Sequence, residues 1–182
     1  NLISKNTIKD GWPHNNWGDL WVQIRPQWRD HMANEVSFNT MGWEDHDDPN
    51  SSVMTKDHPM SVGVWYHLAI THNDNGVHEM FVNGKKVATG RQPVSTRREN
   101  RGAGKIKASE PADIFIGGGG VYKSGFNGSV DEIQIWNKPL TEEEVQRAMK
   151  GYKESEVPAE LQGYFTFETM NADGTFPNLG KG

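Results

Sequence analysis

Apolar and polar residues alternate over short stretches along most of the chain, the period of a half-buried strand. In residues 18–25, Leu20, Val22 and Ile24 fall on one face and predict a strand. Residues 35–40 predict another, with Val36 and Phe38 pointing one way. Over residues 65–72, Tyr66, Leu68 and Ile70 share one face, and His67, Ala69 and Thr71 share the other. Next comes Val77-His78-Glu79-Met80-Phe81-Val82, then Asn83-Gly84, then Lys85-Lys86-Val87-Ala88. Asn-Gly tolerates the two positive φ angles of a type I′ turn, so this stretch predicts a hairpin. Residues 113–116 and 129–136 predict two further strands.

A single helix is predicted. Thr141 is a good N-cap, and Glu144 three residues later completes a capping box. Glu142 and Glu143 occupy the first turn, where the helix dipole favours anions. Val145, Ala148 and Met149 supply an apolar face, and Gly151 follows as a stop. Many strands, one short helix and no βαβ rhythm predict an all-β fold, an antiparallel β-sandwich.

Composition narrows this picture. The 182 residues hold one domain, or one and part of another. Mean hydropathy is −0.77, and no apolar run approaches the roughly 20 residues a membrane helix needs, so no membrane insertion is expected. The net charge of −5 argues against a general nucleic-acid binder. The chain has no cysteine, which removes disulfides, zinc-thiolate sites and thiol nucleophiles together. The 20 glycines suit a turn-rich β protein, and the 7 tryptophans give it large flat surfaces to stack against. The chain opens at Asn1 without a Met or a signal-like stretch, and is expected to be a piece of a longer precursor.

Several motifs are then legible together. Trp65-Tyr66-His67-Leu68-Ala69-Ile70-Thr71 precedes Met80-Phe81-Val82-Asn83-Gly84-Lys85 and Ile116-Gly117-Gly118. Phe126-Asn127-Gly128-Ser129-Val130-Asp131-Glu132-Ile133-Gln134-Ile135-Trp136-Asn137 and Leu140-Thr141-Glu142-Glu143-Glu144-Val145 follow. In this order the chain resembles the laminin-G-like, concanavalin A-like jelly-roll domains of secreted bacterial proteins. The resemblance covers residues 60–150 well and residues 1–60 weakly. It implies a sandwich over residues 1–153 whose opening strands precede Asn1. Residues 154–182, with Leu161-Gln162-Gly163-Tyr164-Phe165-Thr166-Phe167 and Pro177-Asn178-Leu179-Gly180, then read in two ways. They are a linker and the start of a following domain, which is the favoured reading, or a strand returning to the sandwich.

The same resemblance poses a catalytic question. Laminarinase-like glucanases of this fold carry Glu, Asp and Glu at alternate positions of one strand, and a retaining mechanism needs a carboxyl pair about 5–5.5 Å apart. The alternate positions here are Glu132, Gln134 and Trp136. Gln134 cannot ionise and Trp136 cannot serve as acid or base, so no catalytic residue and no hydrolysis are expected in this domain. Asp131 and Glu132 are expected to bond loop backbone, and Ile133 and Ile135 to fill the core. The resemblance also implies a structural Ca²⁺ with Asp131 among its oxygen ligands.

Other chemistry is weighed the same way. Gly117 to Gly120 with Lys123-Ser124 is not a phosphate loop, because Tyr122 stands where Gly must precede Lys. His67, His72 and His78 show no metal spacing and read as structural, hydrogen-bonded histidines. No Ser-His-Asp set is arguable without a G-x-S-x-G elbow. Two long loops remain, residues 41–60 and 91–111. The first holds Glu44-Asp45-His46-Asp47-Asp48, and the second holds Arg97 and Arg98 among six cations. The first reads as a solvated loop, or else as a calcium or sugar-hydroxyl site; the second reads as a solvated connection, or else as a site for a sulfated or uronic-acid glycan. Trp21, Trp65 and Trp136 lie on predicted strands and are expected in the core. Trp12, Trp17, Trp28 and Trp43 lie near turns, where an indole can stack on the C–H face of a sugar. The expected carbohydrate-binding set is therefore Trp43, His46, Asp47, Trp12, Trp28, Arg97 and Arg98.

The expected function is a non-catalytic carbohydrate-binding or adhesion module of a secreted, periplasmic or surface bacterial protein. Its partners would be a glycan and neighbouring domains of the same polypeptide. Two alternatives stand beside it: an accessory domain or fragment of a glycoside hydrolase, and a structural protein–protein module with no ligand.

Overall fold

The computed structural model describes residues 2–5, 20–24, 35–40, 52–55, 58–75, 77–91, 114–118 and 125–182. Their contacts divide the chain into two compact units, Asn1–Asn127 and Gly128–Gly182. The first unit contains strands β1 (Ile3–Lys5), β2 (Leu20–Ile24), β3 (Val36–Thr40), β4 (Ser52–Met54), β5 (Leu68–His72), β6 (Val77–Val82), β7 (Lys85–Arg91) and β8 (Ile114–Ile116). All of the strand pairs among its described residues are antiparallel. One sheet runs β4-β3-β2-β1-β8 and the other β5-β6-β7.

The two sheets meet face to face. Val22 of β2, Val36 and Phe38 of β3 and Met80 of β6 are buried together, and Ile3, Ile24, Leu68, Ile70 and Val87 pack around them. This is the antiparallel β-sandwich that the alternation predicts. The opposite face of β3 is covered as well, since Ser37 is fully buried between the two apolar positions. Just beyond β4, Thr55 is buried too. Its backbone N–H donates to the Val36 carbonyl at 3.0 Å, and its Oγ1 accepts the Val36 N–H at 3.0 Å.

The predicted hairpin is present as β6 and β7. Asn83 (φ 50°) and Gly84 (φ 75°) take the two left-handed positions of the turn. The Asn83 side chain also accepts the His67 N–H at 2.9 Å, while its own N–H donates to the His67 carbonyl at 2.8 Å. The turn is thereby tied to the chain entering β5. A register shift between Met80 and Phe81 leaves Val87 as the extra residue of β7.

In the first unit, one predicted core residue, Trp65, is not there. Trp65 is 67% exposed, with Val62 and Val64 exposed beside it. The strand begins only at Leu68, so Trp65 precedes the alternation that directs Leu68 and Ile70 inward. At the edge of the larger sheet, Ile114, Phe115 and Ile116 of β8 are all exposed.

The second unit contains β9 (Ile133–Trp136), helix α1 (Glu142–Ala148), a 3₁₀ turn (Glu154–Glu156) and β10 (Leu161–Phe165). The capping box is complete: Thr141 Oγ1 accepts the Glu144 N–H at 3.3 Å, and Glu144 Oε2 accepts the Thr141 N–H at 2.9 Å. Val145 and Ala148 are buried, and Gly151 (φ 70°) terminates the segment. β10 pairs antiparallel with β9, with Gly163 opposite Ile135 and Phe165 opposite Ile133. Residues 178–182 run along β10, where Leu179 N–H donates to the Tyr164 carbonyl and Lys181 N–H to the Leu161 carbonyl, each at 2.8 Å. A Cβ on Gly180 would collide with the Gln162 carbonyl, so that approach requires glycine.

The expected hydrogen bonding of the strand histidines is incomplete at His67 and His78. His78 is 1% exposed in the sandwich, edge-on to Phe38, with its Nδ1 2.9 Å from His72 Nδ1. Its Nε2 and the Nδ1 of His67 are buried without a hydrogen-bond partner among the described residues. Burial lowers the His67 pKa. Burial first, then repulsion from His72, lowers that of His78 to about 4. The unfolded chain therefore takes up this proton at higher pH than the folded chain does. Stability is complete above the ordinary histidine pKa of about 6.5 and falls as pH falls, by about 3 kcal/mol once pH 4 is reached. Urea-unfolding midpoints measured across this window should fall with pH in the native chain and be flatter in His78→Leu. Equal slopes in the two would show that His78 is not held neutral.

Candidate functional site

The row Glu132, Gln134 and Trp136 is the natural place to look for glucanase chemistry, and its local geometry dismantles it. Glu132 has φ 53°, so extended backbone cannot run through it, and β9 starts at Ile133 rather than at residue 129. Glu132 thus stands outside the strand that carries Gln134 and Trp136. Its carboxylate is engaged by Tyr164, whose hydroxyl donates to Glu132 Oε2 at 2.7 Å. Gln134 is engaged at both ends of its amide. Nε2 donates to the Ala148 carbonyl at 3.0 Å, and Oε1 accepts the Trp136 indole N–H at 3.2 Å. Trp136 in turn packs against the buried cluster of Val157, Leu161 and Tyr164. Ile133 is buried, whereas Ile135 is 38% exposed and does not fill the core as expected. Gly163 opposite Ile135 contributes no side chain that could cover it.

Tyr164 organises what lies around this row. Its ring is buried, and its hydroxyl both donates to Glu132 and accepts the Tyr152 N–H at 3.2 Å. Burial first, then the bond to Glu132, raises its pKa and keeps it protonated as the donor. A Cβ on Gly151 would lie 3.1 Å from that hydroxyl, a second reason beside its positive φ for glycine there. Nearby, the Arg147 guanidinium lies 4.4 Å from the centroid of the Tyr152 ring. Its Nη1 donates to the Gly151 carbonyl at 2.7 Å, and its Nη2 lies 3.6 Å from Glu156 Oε2. Burial raises the Tyr152 pKa as well. These groups, with Met149, Lys150, Lys153, Thr166 and Glu168, line an open groove of about 540 Å³.

The residues expected to bind sugar, Trp12, Trp28, Trp43, His46, Asp47, Arg97 and Arg98, lie outside the described residues, as does Trp17. Asp131 is described. It is exposed, and its Oδ1 accepts the adjacent Glu132 N–H at 2.9 Å, the local backbone bond expected of it. Calcium takes six to eight oxygen ligands. Among the described residues no group of three or more acidic or histidine side chains is gathered to hold a metal. Among them, too, no helix is long and apolar enough to cross a membrane.

The groove is not legible in the sequence. Its members are spread from Glu132 to Glu168 and meet because β10 folds back on β9 and the chain turns at Gly151. The one local signal was the spacing of Arg147 and Gly151, which lets an arginine reach a carbonyl four residues on.

The family model of the concanavalin A-like lectin/glucanases superfamily, laminin G type, matches residues 13–146. A curated relative, the mouse (Mus musculus) pentraxin-related protein PTX3, is 27% identical over 122 residues. That match takes in 66% of this chain and 32% of the relative's length, so the chain spans about a third of that protein. A solved S-layer domain-containing protein from Clostridium thermocellum is similar with a TM-score of 0.36 and 16% identity, over 64% of this chain and 52% of its own.

Tyr164→Phe removes one donor and one acceptor and leaves the Glu132 carboxylate and the Tyr152 N–H to find other partners. It should cost about 1–3 kcal/mol of unfolding free energy, read from denaturant titration, without loss of secondary structure. A neutral result would mean that water satisfies both groups equally well.

Proposed function

The chain belongs to the concanavalin A-like lectin/glucanases superfamily, and on that footing we propose that it is a non-catalytic carbohydrate-binding or adhesion module. The observation that carries this reading is the occupation of the glucanase row. Glu132 is held by Tyr164, and Gln134 and Trp136 are bonded to each other. A retaining glycosidase needs a free carboxyl pair facing a cleft. A family member whose row is spent on internal bonds keeps the scaffold for recognition rather than for hydrolysis.

The fold by itself does not name a ligand. The reading rests further on the turn-region tryptophans. Trp43, flanked by Glu44 and close to His46 and Asp47, combines an aromatic platform with acceptors for sugar hydroxyls. Trp12 and Trp28 are further platforms, and Arg97 and Arg98 supply donors. The module works outside the cytoplasm, secreted or at a bacterial surface, and tethers its parent protein to glycan. Calcium at Asp131 has no support from the described residues. The pairing of β10 with β9 supports reading residues 154–182 as a strand that returns onto β9.

A glycan array probed with the native chain and with Trp43→Ala, each with and without Ca²⁺, tests the proposal. Native protein should bind at least one polysaccharide class. Loss of the stacking ring should weaken that binding by about tenfold, the equivalent of roughly 1.4 kcal/mol. Absence of binding under both conditions removes the lectin reading and leaves the structural module.

A further inference from the structure

The groove of the second unit contains none of the residues proposed above to bind sugar, and its charges are unevenly used. Arg147 is committed to Tyr152, Gly151 and Glu156, and Glu132 is committed to Tyr164. Lys150 and Lys153 are both exposed at the groove, and neither ammonium has a hydrogen bond or ion pair among the described residues. Glu168 is likewise exposed and uncommitted, and Thr166 adds a hydroxyl. The free chemistry is therefore two ammoniums, one carboxylate and one hydroxyl around a space of about 540 Å³.

A ligand that satisfies this set carries one negative group for the lysines and several hydroxyls that donate to Glu168 and exchange with Thr166. A phosphate or a densely sulfated chain is disfavoured, because Glu132, Glu156 and Glu168 face the same space and repel concentrated negative charge. A neutral sugar leaves both ammoniums without a counter-charge. We infer that this groove is a second binding site, for a carboxylate-bearing sugar such as a hexuronate unit of an acidic glycan. The uronate carboxylate sits between Lys150 and Lys153, and a ring hydroxyl donates to Glu168. The inference rests on the glycan reading only for the choice of a sugar over another hydroxy acid, and its residues are different ones.

The test titrates the full 182-residue chain with galacturonate oligomers and with neutral galactose oligomers of equal length, followed through amide NMR signals. The acidic oligomer should shift Gly151, Tyr152 and Thr166 and bind about tenfold more tightly than the neutral one, the magnitude of a charge-assisted bond. Added salt should weaken it. The double substitution Lys150→Gln and Lys153→Gln should lower the affinity about tenfold or more, while Trp43→Ala leaves these shifts unchanged. Equal binding of both oligomers, binding of neither, shifts confined to other residues, or an unaltered affinity in the lysine variant would each overturn the site. Loss of array binding in Trp43→Ala with these shifts intact separates the loop site from the groove. A simple hydroxy acid that competes at the same concentration as the uronate would overturn the choice of a sugar.

Discussion

The first unit depends on one constraint: the inner faces of two sheets must present apolar side chains to each other in register. Val22, Val36 and Phe38 come from one sheet and Met80 from the other, and each is buried only because its counterpart is. Since side chains alternate with a period of two, a slip of one residue in any strand would turn its apolar set outward. Burial of each such side chain contributes about 1.5–3 kcal/mol, enough to hold the register. The hairpin turn at Asn83-Gly84 reinforces it locally, because only residues that accept positive φ close a two-residue loop with the right twist. His78 is the exception on this face: a ring that must stay neutral to remain where it is.

The second unit is organised by a polar contact instead. The Tyr164 hydroxyl satisfies the Glu132 carboxylate and the Tyr152 N–H at once, and Gly151 leaves the space for it. That bond holds the ends of two segments far apart in sequence, one before β9 and one in β10. It also engages one oxygen of the exposed Glu132 carboxylate. Arg147 behaves similarly, with stacking, a carbonyl bond and an ion pair all spent locally. Structural commitments of this kind decide which charges in the groove remain available to a ligand. Lys150, Lys153 and Glu168 matter there because their neighbours are already engaged.

Much of the fold could be read in advance. Strong period-two alternation placed β2, β3, β5 and the β6–β7 hairpin, and Thr141 with Glu144 placed the helix. The errors lie where the local pattern continued past a backbone change. Residue 129 was expected to begin a strand that starts at Ile133, because nothing in the letters Asp131-Glu132 announces a left-handed Glu132. Trp65 and Ile135 were expected inside and are exposed, since propensity does not report whether a partner surface exists at that point. The candidate site was less legible still. The expected sugar-binding residues all lie outside the described segments, and the groove was not anticipated.

By itself, then, the sequence determined the fold class, the hairpin and the capped helix. Each of these follows from residue identity within a few positions, through period, turn chemistry and helix capping. Tertiary structure alone decided the pairing of β10 with β9, the neutrality of His78, the engagement of Glu132 by Tyr164 and the two unengaged lysines. Those features depend on which groups become neighbours after long loops close. Hydrogen-bond reach and burial are properties of distance in space, and distance along the chain does not encode them.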